Sequence, residues 1–450
     1  MKKTKVSMED IISLSKRRGF IFPGSEVYGG LSGTWDYGPY GLALKKKIMQ
    51  SWWNYFVDSR DDIYGVDAAI LMNKKVWQAS GHVDTFSDPL VEDMVTKQRY
   101  RADNLLKDAG YDVEKLDTLG LNQLIIKNKI KSPNGNSLGE VKQFNMMFET
   151  NIGPVHDENS ISYLRPETAQ GIFTNFRNIV DVFYPDMPFG IAQQGKAFRN
   201  EISPRDFIFR CRELEQMEIE FFVNPTNWEQ EFEKWITEIE KWLESIGLDM
   251  SMLHRKEVEA TNRAHYSKRT VDFEFDFPIG REELLGLAYR TDFDLMNIQN
   301  HSGKNMSYRV KGTNEQFVPH VIEPSFGVER TVMAILTSCY RVDEINGEKR
   351  EYLALPENLA PVKYAVSPLL KNKPELVLKA KKVYDDLKKK QTNVMWDDNG
   401  NIGKRYRRQD EIGTPYCVVV DFQSLEDDTV TIRNRDTTEQ KRITIKELIS

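Results

Sequence analysis

Residues 193–220 carry arginines and carboxylates where two neighbouring strands ordinarily carry apolar side chains, and no other stretch restricts the fold as much. Gln193-Gln-Gly-Lys-Ala-Phe-Arg-Asn-Glu201 and Phe207-Ile-Phe-Arg-Cys-Arg-Glu-Leu-Glu-Gln-Met-Glu-Ile-Glu220 read as two strands around a tight turn at Ser203-Pro-Arg-Asp206. Alternation places Gln193, Gly195, Ala197, Arg199 and Glu201 on one face. It places Arg210, Arg212, Leu214, Gln216, Glu218 and Glu220 on one face of the return strand. A sheet face bearing both signs of charge lies either in water or in a polar site, and that choice decides what the chain does.

The 450 residues suffice for two or three domains with a core in each. Hydrophobic residues at 40% and charged residues at 29% are those of an ordinary soluble protein. The start, Met1-Lys-Lys-Thr-Lys-Val-Ser-Met-Glu-Asp10, predicts a short amphipathic helix and not a signal peptide. No apolar run approaches ~18 residues, so no membrane partner is expected. Cys211, Cys339 and Cys417 are far apart and odd in number, which argues against disulfides and zinc and for a reducing cytoplasm. A net charge of −6 provides no global basic field, so any nucleic-acid contact must be local.

Ile48, Trp52 and Phe56 recur at a spacing of four and predict a helix over about 42–58, with Pro39 and Gly41 at its start. A strand-like stretch, Val66-Asp-Ala-Ala-Ile-Leu71, follows. Residues of about 92–160 read as an insertion with short helices and a turn at Ser132-Pro-Asn-Gly-Asn136. A second insertion, about 225–280, carries a helix with Trp228, Phe232, Trp235, Ile239 and Trp242 on one side, read as core. One domain is therefore expected over 1–355, and the composition changes at Leu355-Pro-Glu-Asn-Leu-Ala-Pro361. Beyond it, residues 361–450 alternate strand and helix and end in a hairpin, Val430-Thr-Ile-Arg433 with Arg442-Ile-Thr-Ile445. Their 18 Lys and Arg against 14 Asp and Glu leave +4, against −10 for the rest. The bias includes Lys404-Arg-Tyr-Arg-Arg408, which reads either as a solvated helix face or as a local contact for nucleic acid.

Three further segments combine charge with strand or helix-start context. In Leu164-Arg-Pro-Glu-Thr-Ala-Gln-Gly-Ile172, Pro166 can begin a helix with Glu167 in its first turn; alone, that is an ordinary capping carboxylate. Arg281-Glu-Glu-Leu-Leu-Gly-Leu-Ala-Tyr-Arg-Thr-Asp-Phe-Asp294 is strand-like and ends in Arg290 and Asp292. Val321-Ile-Glu-Pro-Ser-Phe-Gly-Val-Glu-Arg330 reads as a strand, a Pro-Ser turn and a glycine opening a helix. Gly327 would let backbone approach a flat ligand, and Arg330, one turn into the helix, could aim at a phosphate.

Taken in order, Arg-Pro-Glu-Thr-Ala-Gln, Gly-Lys-Ala-Phe-Arg-Asn-Glu, Leu214-Glu-Gln-Met-Glu218 and Glu-Pro-Ser-Phe-Gly-Val-Glu-Arg resemble the class II aminoacyl-tRNA synthetases. More narrowly the chain is similar to the dimeric glycyl-tRNA synthetases. Gly19-Phe-Ile-Phe-Pro-Gly-Ser-Glu26, Gly33-Thr-Trp-Asp-Tyr-Gly-Pro39, Ser80-Gly-His-Val-Asp84 and Asn401-Ile-Gly-Lys-Arg-Tyr-Arg-Arg-Gln-Asp410 match that family too, so the likeness spans almost the whole chain. One departure is the absence of proline near Asp67-Ala-Ala-Ile70, where the class's dimer motif usually has one.

The resemblance implies an α+β fold: an antiparallel sheet flanked by helices, with insertions, then a C-terminal α/β anticodon-binding domain over 361–450. It implies activation of glycine with ATP and Mg2+, transfer to tRNA-Gly, a homodimer, and no zinc. For ATP it points to Arg199, Asn200 and Glu201; to Phe209, Arg210, Cys211, Arg212, Glu213 and Leu214; to Glu283 and Leu284; and to Gly327, Val328, Glu329 and Arg330. Within that set, Arg199 matches the arginine on the α-phosphate and Phe209 a stacking face for adenine. Arg330 matches the arginine on the terminal phosphates, and Glu283 the acid that meets magnesium; Arg199 and Arg330 are the catalytic pair. For glycine the resemblance points to Glu167, to Leu214, Glu215, Gln216, Met217 and Glu218, and to Glu323, Pro324, Ser325, Phe326 and Gly327. Arg290 is expected on the substrate carboxylate, with Arg101 near the substrate from the first insertion.

Adenylate formation suits such residues, because the amino acid's own carboxylate is the nucleophile. Catalysis is then alignment and charge stabilisation, which planar, permanently charged arginines supply. Clustered acids repel in an empty pocket, so an ammonium relieves an existing strain. His82, His156 and His301 are read as structural. The rivals are a catalytically dead module that only binds RNA, which would have lost its phosphate-binding arginines, and a synthetase for another amino acid of the same subclass.

Overall fold

The computed structural model describes residues 6–113, 116–154, 157, 160–264, 266–345 and 347–450; His156 lies outside the described residues. A seven-stranded sheet is the frame of the first domain. Its strands are β1 (Ile63–Gly65), β2 (Phe189–Phe198), β3 (Glu213–Val223), β4 (Leu253–Glu257), β5 (Arg269–Phe277), β6 (Gly280–Thr291) and β7 (His320–Gly327). They run in the order β4-β5-β6-β7-β3-β2-β1, antiparallel throughout except for β1 with β2.

Alternation along these strands separates two chemistries. Met217, Ile219, Phe221, Phe273, Leu285, Leu287, Ile322 and Phe326 point to one face. There they pack on α2 (Pro39–Trp53), α4 (Trp228–Ser245) and α6 (Val328–Cys339) through Ile48, Trp52, Trp235, Trp242 and Val332. Trp235 stacks on Phe56, with ring centroids 5.7 Å apart, and meets Phe221 edge-on at 5.3 Å. Fully burying each such side chain contributes roughly 1.5–3 kcal/mol. The opposite face is apolar only at one end. There Phe189, Ile191, Phe222 and Val321 pack on α3 (Ala169–Phe183) and α5 (Phe293–Ser302). The rest of that face carries the polar side chains.

Several sequence expectations change here. The stretch at 225–280 is not set apart from the core: α4 covers the apolar face and β5 is an interior strand, because its aromatic stripe has the sheet as its partner. The two strands of the charged hairpin do pair with each other, with Glu218 opposite Gln193 and Gln216 opposite Gly195. Their connection is the wide loop 199–212, not a tight turn at 203–206, and it holds a short helical turn at Phe207–Phe209. No strand forms at 66–71; the Ala68 carbonyl accepts from Arg165 Nη1 at 2.8 Å and Gln193 Nε2 at 3.2 Å instead of a ladder partner. Helix α3 begins at Ala169, so Pro166 and Glu167 precede it; side chains from β3 hold Thr168 at its entry. Pro324-Ser325 is not a turn. Both residues lie within β7, which β3 and β6 grip from either side.

The first expected insertion builds a small lobe, with strands Ser87–Glu92, Arg99–Arg101 and Lys142–Asn145 in one sheet. Val91, Leu106, Leu121 and Ile125 form its own core. The C-terminal module holds β8 (Tyr364–Pro368), β9 (Val394–Trp396), β10 (Tyr416–Val420), β11 (Thr429–Asn434) and β12 (Gln440–Thr444) in the order β9-β8-β10-β11-β12. Helices α7 (Pro374–Lys390) and α8 (Ile402–Ile412) accompany them. Much of the basic run on α8 is engaged internally: Arg405 is buried against the Pro368 and Gly400 carbonyls, and Arg408 holds Asp397. Ion pairs from Arg17 and Arg18 of α1 (Met8–Arg18) to Glu411, and from Arg350 to Asp410, join this module to the rest. No helix among the described residues is long and apolar enough to cross a membrane.

Candidate active site

The polar half of the sheet face forms the wall of a cleft of about 530 Å³. At one end the side chains are acids. Glu218 on β3 accepts from Thr168 Oγ1 and, at 2.7 Å, from Ser325 Oγ. Glu323 on β7 accepts two bonds from Arg290 Nη1, at 3.0 and 3.1 Å. The same guanidinium donates through Nε and Nη2 to Asp294 at 2.8 and 2.9 Å and lies 3.8 Å from the Tyr266 ring centre. Glu167, at the entry to α3, has one oxygen 3.3 Å from His82 Nε2, and His82 Nδ1 lies 2.8 Å from Ser80 Oγ. Beside these acids β6 presents Gly286 and Ala288, opposite Ser325 and Glu323.

The acids respond unequally to this crowding. Burial and repulsion from Glu218 and Glu167 push Glu323 up to about 8 despite Arg290. Burial, then repulsion from Glu167, raises Glu218 against the bonds from Thr168 and Ser325. Burial also acts on Glu167, but His82, Arg290 and Arg199 outweigh it and bring this carboxyl down to about 2. A pocket so arranged has a place for one compact cation.

The other end is cationic. Arg199 follows β2 and donates through Nε to the Pro166 carbonyl at 3.1 Å, which sets it between the two ends of the cleft. Arg330 stands 4.5 Å over the ring centre of Phe209 and bonds the Glu283 carbonyl at 2.8 Å. Asp272 on β5 pairs with Gly286 on β6. A side chain added at Gly286 would meet Glu283 Oε1 at 3.9 Å and Asp272 Oδ1 at 4.0 Å, so the two carboxylates converge over that glycine. Burial and the charge of Glu283 push Asp272 up to about 6, as befits acids waiting for a cation. Arg101 reaches the cleft from the small lobe, held by Asp88 at 2.8 Å and by Asp103.

Of the residues expected from sequence, the cleft brings together Arg101, Glu167, Arg199, Glu201, Phe209, Arg210, Cys211, Leu214, Gln216, Glu218, Glu283, Leu284, Glu323, Ser325, Gly327, Glu329 and Arg330. The others stand apart. Met217, Phe326 and Val328 belong to the core cluster, and Pro324 alternates to that same face of β7. Glu213 and Glu215 pair with Lys196 and Lys45. Arg212 binds the carbonyls of Glu201 and Ser32, while the Asn200 backbone N–H bonds Met146 O at 2.7 Å. Arg290 is wholly buried with its donors on Asp294 and Glu323, so it acts on Glu323 and does not line the cleft. Sequence reasoning missed Asp272 and Asp294, and it read His82 as merely structural. The match at Ser80-Gly-His82 was the available signal; nothing local marks the two aspartates.

Residues 148–339 match the family model described as tRNA synthetase class II core domain (G, H, P, S and T), and residues 363–450 match the anticodon binding domain. A glycine–tRNA ligase of Caldanaerobacter subterraneus subsp. tengcongensis is 47% identical, over 99% of this chain and 97% of that protein. Those of Clostridium tetani and Deinococcus radiodurans are 48% and 45% identical, each over 98% of this chain and 97% of the relative. Among solved structures, Giardia lamblia prolyl-tRNA synthetase in complex with prolyl-adenylate aligns with a TM-score of 0.68 at 14% identity, over 100% of this chain and 77% of that one. At that identity the likeness is one of fold.

Proposed function

The chain belongs to the glycine–tRNA ligases of class II, and from that premise we propose how its own residues carry the reaction. It activates glycine with ATP to glycyl-adenylate and then transfers glycine to the 3′ end of tRNA-Gly. The observation that carries our assignment of roles is the division of one cleft into an acid end around Glu167, Glu218 and Glu323 and a cationic end around Arg199 and Arg330.

In our reading the glycine ammonium sits among Glu167, Glu218 and Glu323, with Ser325 holding Glu218 in place. Gly286 and Ala288 leave room there for an α-carbon without a side chain. Arg290 orients Glu323, and the substrate carboxylate falls instead to Arg199 and Arg101, the arginines that reach the cleft beside the acids. One carboxylate oxygen attacks the α-phosphorus as the bond from phosphorus to the bridging oxygen breaks and pyrophosphate departs. Arg199 is placed to stabilise charge on the five-coordinate phosphorus. Phe209 and Arg330 receive the adenine and the outer phosphates. Glu283 with Asp272 would hold magnesium, which supplies charge neutralisation across the phosphates. We take 1–355 as the catalytic domain, 361–450 as the anticodon-reading module, and the working form as a cytoplasmic homodimer.

Pyrophosphate exchange into ATP, measured with each of the twenty amino acids, tests this reading. Exchange should depend on glycine and not on alanine or serine; comparable exchange with serine would sink the pocket assignment.

A further inference from the structure

Beneath the acid end of the cleft lies a carboxyl that the reaction above leaves unused. Glu220 is two residues along β3 from Glu218 and so shares its face of the sheet. The antiparallel register sets it across from Glu323 on β7. Glu220 is fully buried, and neither of its oxygens has a hydrogen-bond partner among the described residues. One carboxylate oxygen each from Glu218, Glu220 and Glu323 lies within 4.8 Å of the other two. The next residue on that face, Phe222, belongs to the apolar cluster against α3, so Glu220 marks the boundary between pocket and core.

Like charges opposite each other on paired strands destabilise a sheet, and a buried carboxylate without partners is costlier still. The surrounding donors are unequally shared. Glu323 has Arg290, Glu218 has Thr168 and Ser325, Asp294 has Arg290 and Gln170, and Glu167 has His82. Glu220 has none of them, so the first proton taken up by this group rests there, ahead of any on Glu323. Burial, followed by repulsion from Glu323, drives Glu220 the same way. A protonated carboxyl is a donor, and its soft terminal torsion can turn the O–H toward either neighbour.

We propose that Glu220 is a positioning residue for glycine recognition: a neutral carboxylic acid that donates its single O–H to the Glu323 or the Glu218 carboxylate, so that these two carry the charge that receives the ammonium. The proposal rests on reading those carboxylates as the ammonium site. The charged groups facing Glu220 are Glu218 on its own strand, Glu323 on β7, Arg290 on β6 and Asp294 on α5, while its β2 neighbour is the apolar Ile191.

Full-length variants in glycine-dependent pyrophosphate exchange, from about pH 6 to 9, provide the test. Glu220→Leu removes the donor at similar volume. It should raise KM for glycine about tenfold, leave KM for ATP unchanged, and move the acid limb of kcat/KM for glycine to higher pH. Glu220→Gln restores a neutral donor and should rescue KM to within about threefold of the parent. A loss in Glu220→Gln as deep as in Glu220→Leu would overturn the proposal, because the side chain would then act through its charge. An unmoved pH profile in Glu220→Leu would overturn it too, reducing Glu220 to packing. If Glu220→Leu does not fold, infrared spectra with saturating glycine at about pH 9 decide the matter. The stretch of a protonated carboxyl should be present in the parent and lost in Glu220→Gln; its absence from the parent refutes the idea. Glu218→Gln separates the two readings. An unchanged glycine KM there removes the pocket assignment itself, whereas a raised KM beside a silent Glu220→Leu removes only the role of Glu220.

Discussion

Replacing Arg290 by methionine distinguishes a cation that orders the pocket from one that grips the substrate. The guanidinium is buried, bound to Asp294 at 2.8 and 2.9 Å and to Glu323 at 3.0 and 3.1 Å, and stacked on Tyr266. Methionine approximates the stem but leaves two buried carboxylates without their cation, a change that costs about 3–5 kcal/mol. Loss of the stack adds roughly 0.5–2 kcal/mol. Glu323 can escape part of this by holding a proton, and each unit of displaced pKa costs about 1.4 kcal/mol. Glu323, already pushed up to about 8 beside Arg290, rises further once that cation is gone, so the native variant holds this proton to higher pH than the parent and loses more stability as pH climbs. The penalty should therefore be smaller well below pH 8 and grow as pH rises through and above that value. Urea unfolding followed by tryptophan fluorescence at several pH values reads this as a midpoint difference that widens with pH at an unchanged slope. A midpoint like the parent's at every pH, combined with a raised KM for glycine, would refute the argument and return Arg290 to the substrate carboxylate.

Glycine binding should release a proton near pH 7, because Glu323, pushed up to about 8 in the empty pocket, must ionise to meet the ammonium. Calorimetry in buffers of different ionisation enthalpy checks this, and affinity should rise as pH approaches that value. His82→Ala removes the partner 3.3 Å from Glu167 and should raise KM for glycine about tenfold or more while sparing KM for ATP. Gly195→Ala would set a methyl 2.2 Å from Arg165 Nη2, which is buried and has backbone partners. A stability loss of about 1–3 kcal/mol is expected, read from the unfolding midpoint. Asp272→Asn should raise the magnesium concentration needed for half-maximal exchange while leaving KM for glycine unaltered.

What could be read without coordinates was whatever repeats along the chain. The period-two rows on β2 and β3 pair with each other as strands, and the aromatic row of α4 is buried as its spacing required. What failed depended on partners distant in sequence. The α4 segment looked like an insertion because its partner surface, Phe221 and Phe326, lies elsewhere in the chain. Pro324 suggested a turn because proline lacks a ladder donor, yet strands on both sides keep it extended. The resemblance pointed Arg290 at the substrate carboxylate, and its place in the fold bears on that expectation. Only the fold shows that its Nε and Nη2 bind Asp294, just beyond the strand, and that its Nη1 binds Glu323. Asp272 carries no local mark, since it becomes notable only where β5 and β6 bring it over Gly286 beside Glu283.

The same alternation that stabilises the sheet builds its selectivity. Along β3, β6 and β7 each cleft residue is flanked by core residues: Glu218 by Met217 and Ile219, Ala288 by Leu287 and Tyr289, Ser325 by Pro324 and Phe326. A slip of one residue would bury the acids among the aromatic rings and expose the core, so the hydrophobic face enforces the register of the pocket. Room beside the acids is then set by Gly286 and Ala288, which cannot retreat without moving the core behind them. One methyl group in an apolar pocket changes binding by only about 1–3 kcal/mol. Here a methyl on the substrate must also push Glu323 from Arg290 or Glu218 from Ser325, and losing a hydrogen bond to a charged group costs about 1.5–3 kcal/mol more. Together these reach roughly 3–6 kcal/mol, on the order of a hundredfold to ten-thousandfold against alanine. In the proposed pocket, selection of an amino acid with no side chain thus follows from Glu167, Glu218 and Glu323 having no slack, because each of these three already has a partner on the frame.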